Sequence, residues 1–174
     1  DEVKKLKDDL DRLLDEIRRK IEKVRKDSED SLKRVEELIR RVEEESRRLL
    51  EDVKREISDE EIIREAKKAV EESKKNLDDI RREVKRIVEE TERLLKKLDD
   101  DLKRVVERVK ELLDRNKDIK KVLDDVRREI RRIDEEIKRV EEEDRRMVTE
   151  LLKHIERNLE RSKRLADEVK EKAR

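Results

Sequence analysis

The chain has 174 residues, 62% of them charged and 31% hydrophobic, and its 54 Lys and Arg balance 54 Asp and Glu. That balance provides no net field to attract DNA, RNA or an anionic membrane, so neither a nucleic-acid nor a membrane partner is expected. Gly, Pro, Cys, Phe, Tyr and Trp are all absent and there is one His, which excludes disulfides, thiolate metal ligands and glycine-rich phosphate loops.

High charge with low hydrophobicity often marks disorder. Here the apolar residues are ordered by an 18-residue repeat: Val3, Ile21, Ile39 and Ile57 form one series, Leu6, Val24 and Val42 a second, and Leu14, Leu32 and Leu50 a third. Eighteen residues make five turns at about 3.6 residues per turn. A stripe with the helix's own period stays in line without supercoiling, whereas a strict heptad would impose a left-handed supercoil.

The first predicted helix covers about residues 2–57, with its apolar stripe on an arc of roughly 220–320° of the helical wheel. The cap-like cluster Asp27-Ser28-Glu29-Asp30-Ser31 falls inside it. Val24, Leu32 and Val35 keep one phase across that cluster, so the helix is read as continuous. The phase then jumps at Ile57-Ser58-Asp59-Glu60-Glu61, where Ser58 and Glu61 have the spacing of a capping box. The second helix is predicted over about 59–115, with a stripe at roughly 40–180°. It runs through Asp99-Asp100-Asp101, because Leu98 and Leu102 hold phase. Ile62, Ile63, Val70, Val88 and Val106 make this stripe the broadest. The next jump lies at Asn116, which can take the left-handed conformation that ends a helix, and Asp118, which can cap the next one. The third helix is predicted over about 118–173, with a stripe at roughly 300–60°. Short loops require an up-down-up arrangement. The expected fold is therefore all-α, a single domain over 1–174 forming an antiparallel three-helix bundle of long, nearly straight helices.

A few polar residues interrupt the apolar series. Ser28 and Ser46 take the Leu10 position, and Ser31 lies between Leu13 and Leu49. Ser73 and Thr91 precede Val109, and Asn76 stands where Leu94 and Leu112 stand. Asp144 and Ser162 follow Val126, and Asn158 follows Val122 and Val140. Folding the chain at its two turns gives their heights. Facing residues of the first and second helices have numbers summing to about 118, those of the second and third to about 234, and the third helix runs about 116 ahead of the first. Two layers result: Ser46, Ser73, Asn76, Asn158 and Ser162 in one, and Ser28, Ser31, Thr91 and Asp144 in the other. Each is expected to be a buried hydrogen-bond network. Such layers weaken a core relative to leucine but penalise wrong registers by stranding polar groups, at about 1–3 kcal/mol for each unpaired one.

Ser, Thr and Asp together invite a hydrolase reading, but a triad needs a histidine base within reach. His154 shares its series with Glu136 and Lys172 and is expected on the surface, as is Thr149, in series with Arg131 and Asp167. Met147 follows the series of Leu165 and reads as packing. No cluster of His, Cys or inward carboxylates has metal-ligand spacing. No catalytic, cofactor-binding or metal-binding residue is expected, and no small-molecule partner.

The Glu/Lys/Arg-saturated surface, the 18-residue core repeat, the Ser58–Glu61 box and the layered Ser/Asn/Thr/Asp core together resemble a de novo designed helical bundle with buried hydrogen-bond networks. The resemblance covers the whole chain. It implies a structural scaffold without natural activity or natural localisation, soluble and cytoplasmic in an expression host. The alternative it implies is an interaction module that forms a homo-oligomer or pairs with a designed partner. A monomer is favoured, because stripes about 100–140° wide suit one face of a three-helix bundle. The nearest natural likeness is a spectrin-like three-helix repeat, whose core usually carries aromatic residues that this chain lacks.

Overall fold

The computed structural model describes residues 2–115 and 118–172, with side chains from Lys4 onward. Three helices account for nearly all of it: α1 (Glu2–Glu56), α2 (Glu60–Asp114) and α3 (Ile119–Lys172). No strand occurs among the described residues. With all three helix pairs in contact, the fold is an all-α three-helix bundle. Both acidic and cap-like clusters, Asp27–Ser31 and Asp99–Asp101, stay helical. Neither contains Gly or Pro, and the apolar stripe continues to bury on both sides of each, so tertiary packing overrides local cap propensity.

Three helix ends carry complementary charge: Glu60 and Glu61 open α2, Lys54 and Arg55 close α1, and Lys170 and Lys172 close α3, whereas the last turn of α2 has no basic residue and the first turn of α3 no acidic one. The first three placements complement the helix dipole. The cap of α2 differs from the expected capping box. Ser58 is exposed and lies outside the helix. Asp59 holds the cap position: its Oδ1 accepts from the Glu61 backbone N–H at 3.0 Å, and its carbonyl accepts from Ile63 N at 3.2 Å. Glu61 is thus the second helical residue, one short of the place a capping box requires. At the next turn, the Asp118 carbonyl accepts from Val122 N at 3.1 Å, which puts Asp118 at the start of α3. Asn116, expected to end α2, lies outside the described residues.

Packing divides the chain into two compact units: Asp1–Glu29 with Val88–Arg145, and Asp30–Ile87 with Arg146–Arg174. In the first unit Ile17, Ile21 and Val24 of α1 pack with Leu95, Leu98 and Leu102 of α2 and with Val126, Ile133 and Ile137 of α3. Contacts fix the helix directions there. Lys20 bonds Asp134 and Ser28 bonds Asp144, so α1 and α3 run parallel. Thr91 bonds Asp144 while Arg108 pairs with Glu129, so α2 runs against α3. The second unit repeats the up-down-up order. Arg81 pairs with Glu43 and Ser73 meets Ser46, so α1 and α2 are antiparallel. Lys172 bonds Glu65 and Ser73 bonds Asn158, so α2 and α3 are antiparallel as well. Its core holds Val35, Ile39, Val42, Leu77, Ile87, Leu151 and Ile155, with a further group of Val53, Ile62, Ala66 and Val169. Each fully buried aliphatic side chain contributes about 1.5–3 kcal/mol.

The broad stripe of α2 is largely absorbed by this packing. Ile62 and Val70 are buried, and Ile63 and Val106 are half-buried. Val88, 41% exposed, is the single large hydrophobic side chain left in solvent among the described residues. The surface is otherwise charged, with local pairs such as Arg18–Asp15, Arg55–Asp52 and Arg93–Glu90 three residues apart. Exposed pairs of this kind contribute little each.

Candidate functional site

The polar side chains that the helices bury form one cluster in each unit. A stripe buried at its centre buries whatever residue stands there, and a polar residue in that place must find its partner on another helix.

In the first unit Ser28, Thr91 and Asp144 are buried, one from each helix. The Ser28 hydroxyl donates to Asp144 Oδ1 at 3.0 Å, and the Thr91 hydroxyl donates to the same oxygen at 3.1 Å. Ser28 and Asp144 are 116 residues apart, the offset that folding at the two turns requires. Ser31 takes no part in these bonds. It is half-buried, as are Leu13 and Leu49 of its series. Its wheel angle of about 220° is the edge of the α1 arc. A leucine at such an edge reaches back over the core, whereas a serine is too short to do so.

In the second unit Ser46, Ser73 and Asn158 are buried, again one from each helix. The hydroxyls of Ser46 and Ser73 are 3.4 Å apart, and Ser73 donates to Asn158 Oδ1 at 3.3 Å. Asn158 Nδ2 is buried without a hydrogen-bond partner, the one such side-chain atom among the described residues. Asn76 and Ser162 do not join this cluster. Asn76 is exposed, against the expectation that it faces the core. Its angle of about 40° is the edge of the α2 arc, where an amide stays hydrated at no cost. Ser162 is half-buried and lines a groove of about 610 Å³ between α1 and α3. Two further grooves open at this cluster. One of about 740 Å³ between α1 and α2 includes Ser46 and Ser73 in its lining. The other, about 280 Å³ between α2 and α3, includes Asn76, His154 and Asn158.

Two features are not legible from spacing. The capping-box spacing points to Ser58 over Asp59, although the two residue types cap equally well and Asp59 stands directly before the acidic first turn. Arg25 gathers Glu22 at 2.5 Å, Asp99 at 3.2 Å and Glu92 at 3.7 Å, joining α1 to α2. Burial opposes the Arg25 charge, but the Asp99 hydrogen bond and the three carboxylates outweigh it and raise its pKa. Only the i,i+3 member of that cluster could be read from spacing.

His154 and Thr149 are exposed, and Met147 is half-buried against the core of the second unit. Among the described residues no group of three or more His, Cys, Asp or Glu side chains could hold a metal ion. Nor is any described helix long and apolar enough to cross a membrane. Comparison with protein-family models, with curated proteins and with solved structures finds no match to this chain.

Proposed function

We propose that the chain is a designed structural scaffold with no natural biochemical activity, in which the two buried polar clusters specify helix register and pairing. The observation that carries this reading is the Ser28–Thr91–Asp144 cluster, where three helices each supply one member. The apolar repeat by itself does not distinguish registers 18 residues apart. The polar residues do, one cluster for each direction. Sliding α1 by one repeat one way would bring Leu10 to the place of Ser28 and leave Asp144 with Thr91 alone; sliding it the other way would bring Ser46 there and keep that bond, but would take from Ser73 its hydroxyl partner on α1. Stranding buried polar groups in this way costs about 1–3 kcal/mol each. The absence of any recognised relative supports a designed origin. The nearly complete burial of the apolar stripes supports self-sufficiency, since only Val88 remains as an exposed large hydrophobic side chain among the described residues.

The alternative reading, a module that assembles with copies of itself or with a designed partner, draws on the zero net charge, which gives little repulsion against association. Light scattering after size exclusion separates the two. Detection must use refractive index, because the chain has no Tyr or Trp. A mass held at 21.4 kDa over a wide concentration range supports the scaffold. A fixed multiple of that mass would overturn it in favour of assembly.

A further inference from the structure

The two units are equal in length, yet they pack differently. Among the described residues the first has one continuous core of 17 buried hydrophobic side chains. The second has two separate cores, of 10 and 4. The place of each polar layer accounts for the difference. Ser28, Thr91 and Asp144 stand beside Glu29, Val88 and Arg145, where the segments of the first unit end, so they bound its core without dividing it. Ser46 stands between Val42 and Val53, Ser73 between Ala66 and Leu77, and Asn158 between Ile155 and Val169. That layer cuts the second core in two.

The divided core is also the looser one. Ser46 and Ser73 are 3.4 Å apart and Ser73 reaches Asn158 at 3.3 Å, against 3.0 and 3.1 Å for the bonds to Asp144. Longer bonds are weaker. Asn158 Nδ2 is buried without a partner. The three grooves of about 610, 280 and 740 Å³ all lie on this unit. Side chains that line a gap forfeit dispersion contacts on that side. Stability need not be uniform along a fold, and a region with fewer buried apolar contacts opens at lower free energy.

We propose that the second unit opens by itself, in one cooperative step, while the first stays packed. Residues 30–56 of α1, 60–87 of α2 and 146–172 of α3 come apart together. Opening brings Val35, Ile39, Leu77, Leu151 and Ile155 into solvent and leaves the Ser28–Thr91–Asp144 bonds closed. The chain thus has a permanent half and an opening half, and the opening half is the one that holds the α1–α2 turn.

The test uses two matched probes. Ile21 and Ile39 are one repeat apart in the same series and are 1% and 2% exposed. With no native cysteine, Ile21→Cys and Ile39→Cys place the same buried thiol in each unit. Labelling by a water-soluble aromatic disulfide, under conditions where closing outpaces reaction, reports the open population at each position. Ile39→Cys should label about tenfold faster, within what one unpaired buried donor supplies. Its rate should also rise less steeply with guanidinium, because partial opening exposes less surface. Equal rates, slower labelling at Ile39→Cys, or the same guanidinium dependence at both positions would overturn the proposal. Hydrogen exchange of the unsubstituted chain covers the case in which a cysteine variant fails to fold. The amides of Val35, Ile39, Leu77, Leu151 and Ile155 should share one protection factor, about tenfold below that shared by Ile21, Leu98 and Ile133. One common value for both sets, or protection that rises steadily away from the α1–α2 turn as in end fraying, would equally overturn it.

Discussion

Removing the Asp144 cluster one member at a time should change stability in opposite directions. Thr91→Val is nearly isosteric and deletes one of the two donors to Asp144 Oδ1. The buried acceptor loses a bond, which costs about 1–3 kcal/mol. For a chain of this size that corresponds to a fall in Tm of roughly 2–12 °C. Adding Ser28→Ala removes the other donor at 3.0 Å and leaves a buried carboxyl with neither hydroxyl, for a further loss of similar size. Adding Asp144→Val as the third change, the residue type of Val126 one repeat earlier, removes the stranded group and restores an apolar layer. The triple variant should regain all that the double variant lost and exceed the parent, as happens when buried polar sets are replaced by hydrophobic residues of similar volume. Guanidinium unfolding followed by circular dichroism at 222 nm gives all four stabilities, with unchanged m-values showing that the same surface unfolds. A triple variant no more stable than the double would refute the account, because Asp144 would then be stabilising for some reason other than its two hydroxyl partners.

Other outcomes follow from single contacts. Asp59→Ala should cost about 1 kcal/mol through loss of the α2 cap, while Ser58→Ala changes stability by less than about 0.5 kcal/mol; the reverse order of effects in thermal melts would return the cap to Ser58. Asn158→Val, the residue of its own series at Val122 and Val140, removes a donor without a partner, worth about 1–3 kcal/mol, together with the Oδ1 that accepts from Ser73, worth about 1 kcal/mol, so stability should rise by up to about 2 kcal/mol; a loss of more than about 1 kcal/mol in the same denaturation assay would mean that Nδ2 is satisfied in solution. The Glu90 carboxyl is held below the ordinary glutamate range, chiefly by its hydrogen bond from Arg93. Its small contribution is therefore present above the unfolded-state value and is lost as pH falls through the folded one. Carbon-detected NMR titration should place its midpoint below that of an unpaired glutamate, and Arg93→Gln should return it to the ordinary value.

The three helices were legible because each stripe keeps its own phase over some fifty residues, and the phase jumps where the chain turns. Helix ends were less so: the boundary before α2 depended on which of two adjacent cap-competent residues, Ser58 or Asp59, the backbone selects. Within the polar sets, wheel angle and repeat position carried different information. Repeat position gave height, and it brought Ser28 opposite Asp144. Wheel angle gave depth, and residues at arc centres such as Ser28, Ser46, Ser73 and Thr91 are buried. Ser31 and Asn76 lay at arc edges, where their series include leucines that bend inward and a short or amide side chain does not follow. Ser162 lies at an arc centre yet is half-buried beside a groove, a local opening that no periodicity encodes. The Arg25 cluster was illegible for a related reason, since its cross-helix partners depend on how long side chains lie over the seam.

The most direct test of register control uses the absence of native cysteine. Spin labels at Lys23→Cys and Arg139→Cys, exposed positions on α1 and α3 of the first unit, report the offset between those helices by double electron–electron resonance. The parent should give one narrow distance population. A variant with every buried polar residue replaced by the apolar residue of its own series should add a second population, displaced along the axis by about 27 Å, one repeat at 1.5 Å per residue. If that variant keeps the single parental distance, the polar clusters do not set register and the central claim fails.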